Sequence, residues 1–161
     1  MYKKLNFSWV IPNVLAGSSI PSSREDIEWL VNEEGINTII SLNEDNLTKI
    51  IKYFRNLKSE LHFKQYHIPT VDGTGFYIHQ FQKICNIFQD CVTSGKKLLV
   101  HCEGGYGRTS TVIVAIWMYF YNKSLEESVK EIKNPKIRPQ AIFTDIQIDS
   151  LKQWEENLSQ K

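Results

Sequence analysis

One stretch, LLVHCEGGYGRTSTV at residues 98 to 112, constrains this chain more than any other. An apolar, strand-like run ends in His101-Cys102, three glycines fall within the next five positions, and Arg108-Thr109 closes the turn. The run TVIVAIWMYFY at 111 to 121 is then apolar all round, which for a helix means burial on every side. If Val100 ends a central strand and Arg108 opens that buried helix, the backbone between them wraps into a tight cup. Gly104, Gly105 and Gly107 permit the positive φ angles this requires. Amide N–H groups and the positive end of the helix dipole then converge on one point, where a tetrahedral anion such as phosphate fits.

The side chains of this turn suit phosphoryl chemistry. Cys102 lies at the base of the cup, where the same amides and dipole favour the thiolate, so it is a candidate nucleophile at neutral pH. Arg108 offers a planar fork able to hold two phosphoryl oxygens, a geometry lysine cannot copy. Thr109 places a hydroxyl within reach of the sulfur. His101 is expected to orient the loop through backbone hydrogen bonds and not to act as a base, because a preformed thiolate needs none. Glu103, Gly104, Gly105, Tyr106 and Gly107 complete the candidate substrate-binding loop.

Elsewhere strand-like and helix-like periodicity alternate, giving a mixed α/β domain expected to span 1–161. FSWVIPNVLAGS reads as two short strands around Pro12-Asn13, and INTIISL as a buried strand. HFKQYHI and KKLLVH read as further strands. A helix is expected from Ser22 or Ser23, with Ser22 and Glu25 at capping-box spacing and Gly35 as its stop. A second is expected around 47 to 58, carrying Ile50, Ile51, Phe54 and Leu57, and a third over 77 to 92, closed by Gly95. After the buried helix, Ser124 with Glu127 and Thr144 with Gln147 mark two more capping boxes.

Composition narrows the partners. Nineteen basic and eighteen acidic residues give a net charge of +1, which provides no global attraction to nucleic acid or an anionic membrane, so anion recognition has to be local. The longest apolar run is far short of a membrane span, and the N-terminus lacks a signal-peptide pattern. Lys3, Lys4, Lys96 and Lys97 form short basic pairs expected on a solvated surface. Three cysteines without a disulfide spacing suit a reducing compartment, and the expected location is cytoplasmic. Cys85 and Cys91 fall on the apolar face of a helix and are expected in the core. His62, His67 and His79 are too scattered for a metal site, and neither metal nor cofactor is expected.

HCEGGYGRTS resembles the signature of the cysteine-dependent protein tyrosine phosphatases: His-Cys, five residues, Arg, Ser/Thr. FSWVIPNVLAGSSIP, SLNED, IPTVDG and RPQAI are similar to corresponding segments of the small atypical dual-specificity and compact single-domain tyrosine phosphatases. The resemblance implies a central twisted mixed sheet flanked by helices, with the phosphate loop between a strand and a buried helix. It also implies attack by Cys102 on phosphorus, a cysteinyl-phosphate intermediate and a general acid. Asp72, thirty residues before Cys102 in IPTVDGTG, matches the acid position. Glu44 in SLNED matches an acidic loop position that orients Arg108 or assists proton transfer.

Two positions depart from the pattern. Phe143-Thr144 stands where many relatives have Gln-Thr, leaving Gln147 to position water, and Ser110 replaces the usual Gly after Arg-Thr. The expected function is hydrolysis of phosphotyrosine, and of phosphoserine and phosphothreonine if the pocket is shallow. The expected partner is a phosphorylated protein or peptide, engaged by a monomer and without nucleic acid or membrane. The alternatives are a phosphate-binding module without turnover, or a phosphatase for phosphoinositides or RNA 5′-phosphates. Neither lysine-rich nor His/Asn-bearing loop patterns of those last classes occur, and Glu103 opposes highly anionic substrates.

Overall fold

The computed structural model describes residues 5–161; Lys3 and Lys4 lie outside that range. The strands are β1 (Ser8–Ile11), β2 (Leu15–Ser18), β3 (Thr38–Ser41), β4 (Lys64–His67) and β5 (Leu98–His101). The helices are α1 (Arg24–Glu28), α2 (Leu47–Ile50), α3 (Phe54–Leu61), α4 (Ile78–Ser94), α5 (Gly107–Tyr121), α6 (Leu125–Ile132) and α7 (Asp145–Ser159). The strands form one sheet in the order β1-β2-β5-β3-β4, with β1 antiparallel to β2 and the other pairs parallel.

Period-two alternation along the central strands sorts the core into two layers. Leu15 of β2, Ile40 of β3 and Leu98 and Val100 of β5 face a cluster shared with α4, α5 and α7. Ala16, Ile39 and Leu99 face the opposite way, toward Ile27, Leu30, Leu47, Phe54 and Leu57 of the early helices. Both faces of the sheet are therefore covered, as a parallel sheet requires. Helix α5 is buried from Arg108 through Met118, and its last turn, with Phe120 and Tyr121, reaches solvent. Trp154 of α7 is fully buried against it and donates its indole N–H to the Ala115 carbonyl at 3.1 Å. Truncating Trp154 to alanine removes that packing, a change that typically costs about 3–5 kcal/mol.

Local sequence signals placed most helix ends. Ser124 and Glu127, and Thr144 and Gln147, form reciprocal capping boxes, and Gly95 ends α4 at φ 68°. The first helix starts one residue later than the Ser22–Glu25 pair predicts. Ser23 is its N-cap, accepting from Asp26 N, while the Asp26 carboxylate reaches back to Ser22 N at 2.9 Å. A π-helical turn, Trp29–Glu33, follows α1 before Gly35 at φ 77°. The single helix expected over 47 to 58 is two, α2 and α3, separated by Tyr53 in the left-handed region. The break lets Ile51 and Phe54 pack inward while Ile50 turns out to 36% exposure. Cys85 and Cys91 are buried in the core as expected.

Candidate active site

Strand register brings the functional loops to one edge. Ser18, His101, Ser41 and His67, the last residues of four parallel strands, stand side by side across the sheet. The chain leaving each of them contributes a part: Ile20 after β2, the Cys102 loop after β5, Glu44 after β3 and Asp72 after β4. Ligand sites of open α/β sheets lie at this carboxyl edge.

The loop from Cys102 to Tyr106 is a cup because its carbonyls are held outward. Cys102 O faces His101 Nδ1 at 3.1 Å and Glu103 O accepts from Ile20 N at 2.9 Å. Gly104 O accepts from Asn6 Nδ2 at 3.1 Å and Gly105 O from Arg138 Nη2 at 2.6 Å. In a trans peptide the following N–H points opposite to the carbonyl, so four outward carbonyls turn four consecutive amides, 103 to 106, toward the cup. Of the three loop glycines that permit positive φ, Gly104 and Gly107 do not use it and Gly105 does, at 82°. A Cβ there would also lie 2.8 Å from the Ser18 carbonyl. Gly107 is already in the first turn of α5, where helical φ is negative; what it provides is room, since a Cβ would sit 3.1 Å from Gln147 Nε2. A Cβ on Gly104 would instead press on the Tyr106 ring at 2.9 Å.

The sulfur at the floor of the cup accepts two hydrogen bonds, from Gly105 N at 3.3 Å and Thr109 Oγ1 at 3.0 Å. Cys102 is only 3% exposed yet lines a cavity of about 370 Å³. Asp72, Glu103, Gly104, Tyr106, Gly107, Arg108 and Gln147 line the same cavity, beside Gly73, Ile142, Phe143 and Thr144. The residues singled out in the sequence thus converge, with Thr109, His101 and Gly105 buried behind the cavity and Glu44 bound to Arg108.

The Arg108 guanidinium is 2% exposed and clamped on one side. Its Nη1 donates to Glu44 Oε1 at 2.6 Å and to the Thr70 carbonyl at 2.7 Å. Its buried Nε has no hydrogen-bond partner among the described residues and lies 3.6 Å from Asp72 Oδ1. With Nη1 committed, the Nε/Nη2 edge is the one left for a bidentate anion. The hydrogen bond from Arg108 holds the Glu44 carboxyl below the usual carboxylate range. Asp72 is 79% exposed, on a loop tied to the start of α7 by Thr144 Oγ1 donating to Gly73 O at 2.8 Å. Gln147 is buried; its Oε1 caps Thr144 N, and its Nε2, beside Gly107, has no partner among the described residues.

His101 is fully buried, and desolvation pushes its pKa down to about 4, so the ring is neutral at physiological pH. A carbonyl can only accept, so Nδ1 carries the proton toward Cys102 O and Nε2 accepts from Ser41 Oγ at 2.6 Å, which in turn accepts from Gln65 Nε2 at 3.0 Å. Ser110 is fully buried with its hydroxyl unpartnered among the described residues. Among the described residues no three His, Cys, Asp or Glu side chains cluster as a metal site would require, and no helix is long and apolar enough to cross a membrane. The sequence reading missed Arg138, Asn6, Ile20, Thr70 and Ile142. Arg138 sits in the RPQAI segment, but nothing local in it indicates a partner thirty-three residues away.

A cysteine-floored anion cup between a parallel strand and a buried helix is the arrangement of the cysteine phosphatases, and the comparisons agree. Residues 4–153 match the family model PTP-SAK, described as Swiss Army Knife protein, DSP-PTPase phosphatase domain, and the chain belongs to that family. It is 28% identical over 149 residues to human "Phosphatidylglycerophosphatase and protein-tyrosine phosphatase 1", covering 92% of this chain and 72% of that one. It is 32% identical over 99 residues to "Putative tyrosine phosphatase 123R" of Invertebrate iridescent virus 6, covering 56% and 68%. Among solved structures, Tk-PTP in its active form superposes with a TM-score of 0.82 at 28% identity, covering 97% of this chain and 99% of that one. PTPMT1 in complex with PI(5)P superposes at 0.84 and 20% identity, covering 96% and 97%. The protein is a protein-tyrosine/dual-specificity phosphatase.

Proposed function

We propose that the chain hydrolyses phosphotyrosine in proteins through a cysteinyl-phosphate, with the roles carried by Cys102, Arg108, Asp72, Thr109 and Gln147. The Cys102 thiolate attacks phosphorus as the phosphorus–oxygen bond to tyrosine breaks, and protonated Asp72 gives its proton to the leaving phenolate. Arg108 and the amides of 103, 104 and 106 hold the equatorial oxygens and follow the charge into the transition state. Water, positioned by Nε2 of Gln147, then attacks the phosphocysteine while the Asp72 carboxylate takes its proton, and the P–S bond breaks to return the thiolate. Thr109, already bonded to the sulfur, stabilises that leaving group. His101 and Glu44 are positioning residues, the first for the Cys102 carbonyl, the second for the guanidinium edge.

The observation that carries this reading is the doubly hydrogen-bonded sulfur lining the same cavity as a clamped guanidinium. Tyr106, Ile142 and Phe143 wall the cavity and no lysine among the described residues lines it, which suits a flat aromatic monophosphate better than a polyanionic lipid or RNA end. The test is rapid quench with a phosphotyrosine peptide in excess EDTA. The expected result is vanadate-sensitive turnover with phosphate trapped on Cys102; chelator-abolished turnover, or no phosphocysteine in a turning-over enzyme, contradicts it. Faster hydrolysis of a phosphatidylinositol monophosphate than of the peptide would transfer the assignment to a lipid substrate.

A further inference from the structure

Arg138 is the second-largest of the fully buried side chains, and it makes no ion pair among the described residues. A charge without a carboxylate partner in a protein interior is costly, so its hydrogen bonds are informative. Nη2 donates to Gly105 O at 2.6 Å; Nη1 donates to Ser8 Oγ at 2.6 Å and to Gly17 O at 3.2 Å. The guanidinium thus joins the phosphate loop to β1 and β2. Gly17 leaves it space: a Cβ there would stand 3.2 Å from the Arg138 guanidinium carbon.

The loop carbonyls divide the labour. Asn6 holds Gly104 O, and the trans peptide then sends Gly105 N–H to the Cys102 sulfur, where it is seen at 3.3 Å. Arg138 holds Gly105 O, and by the same geometry sends Tyr106 N–H into the cup. The two anchors therefore act on different targets, the sulfur and the phosphoryl group.

We propose that Arg138 is a positioning residue for phosphoryl binding: it fixes the Gly105–Tyr106 peptide plane so that the Tyr106 amide faces the substrate oxygens, and it places behind the cup a positive charge that has no ion-pair partner among the described residues. The inference rests on the reading of the Cys102 loop as a phosphate site. Burial pulls the Arg138 pKa down to about 10, which leaves it charged at neutral pH. A lysine at 138 would keep the charge but could not reach Gly105 O and Ser8 Oγ together.

The experiment compares wild type with Arg138→Met and Arg138→Lys for para-nitrophenyl phosphate hydrolysis, thermal unfolding and Cys102 alkylation. Phosphate binding is measured by calorimetry in the Cys102→Ser background, where turnover plays no part. Arg138→Met is expected to lower kcat/KM about 100-fold, the scale for losing one transition-state donor, and to weaken phosphate binding at least about tenfold. Arg138→Lys should fall between. Asn6→Ala should mainly slow Cys102 alkylation while phosphate binding drops less. Folded Arg138→Met with wild-type phosphate affinity overturns the proposal, whatever its melting temperature, because a purely structural arginine would leave binding by the folded fraction unchanged. If Arg138→Met does not fold, Arg138→Lys decides: a wild-type kcat/KM and phosphate affinity in that variant overturns it. Failure of the wild type to turn over would reject the phosphatase reading, whereas the binding measurement judges Arg138 separately.

Discussion

Two buried cysteines of this chain show how little burial alone says about a thiol. Cys102 is 3% exposed and Cys85 fully buried, yet their surroundings are opposite. Around Cys85 are the apolar side chains of the α4 layer, and desolvation pushes its thiol up to about 12. Around Cys102 are an amide, a hydroxyl and the first turn of α5, all directed at the sulfur. The difference lies in the donors. A strand end followed by a wrapped loop delivers polar hydrogens to a buried atom, whereas the middle of an amphipathic helix delivers only methylene and ring surface.

The strongest way to break this comparison is to exchange each sulfur for oxygen. Cys102→Ser is expected to reduce turnover on the order of 10⁴-fold while the protein still folds and binds phosphate. Cys85→Ser should do the reverse, leaving kcat within about twofold and lowering stability by about 1–3 kcal/mol, the cost of an unsatisfied buried hydroxyl. Urea titration and steady-state rates on both variants check this, and robust turnover by Cys102→Ser ends the nucleophile assignment. Alkylation sharpens it: at pH 7 iodoacetamide should modify Cys102, with inorganic phosphate protecting, and reach Cys85 only in denaturant.

Asp72→Asn is expected to cost about 10²–10³-fold with phosphotyrosine and much less with an activated leaving group that needs no proton. An equal loss across leaving groups would argue against Asp72 as the acid. A pH series addresses His101. Its folded pKa near 4 lies below the ordinary 6.5, so the unfolded chain binds the extra proton. Its contribution is fully present above pH 6.5 and is lost as the pH falls from there to about 4, amounting to about 3 kcal/mol. Chemical denaturation of wild type against His101→Asn should show a shallower acid slope in the variant; parallel slopes would mean that the ring is not buried neutral. The smallest effect is expected from Glu44→Gln. Glu44 is half exposed and Thr70 O still holds Arg108 Nη1, so kcat/KM should fall only about two- to fivefold, mainly through KM.

What could be read from the sequence was whatever depends on near neighbours. Cys102 and Arg108 are six positions apart across one turn, so their spacing already implied a cup, and the capping boxes at Ser124 and Thr144 are four-residue motifs that formed as expected. Asp72 and Glu44 were found through resemblance, since neither position carries a local signal of its own. Near-neighbour logic also has limits. Three loop glycines permit left-handed backbone without saying which needs it; only Gly105 does, and Gly104 and Gly107 are small for the sake of neighbours in space. The unbroken helix over 47 to 58 failed, as the left-handed Tyr53 is set by packing of Ile51 and Phe54 on the sheet.

The sequence by itself therefore determined the alternation of strands and helices and the glycine-rich cup with a cysteine at its floor, all written in short-range periodicity and backbone preference. Only the tertiary structure decided which distant groups hold that cup open: Asn6 on Gly104, Ile20 on Glu103, Arg138 on Gly105, and Thr70 with Glu44 on Arg108. A hydrogen bond acts over about 3 Å regardless of how many residues separate its partners along the chain, and it is the sheet register that brings those partners within reach.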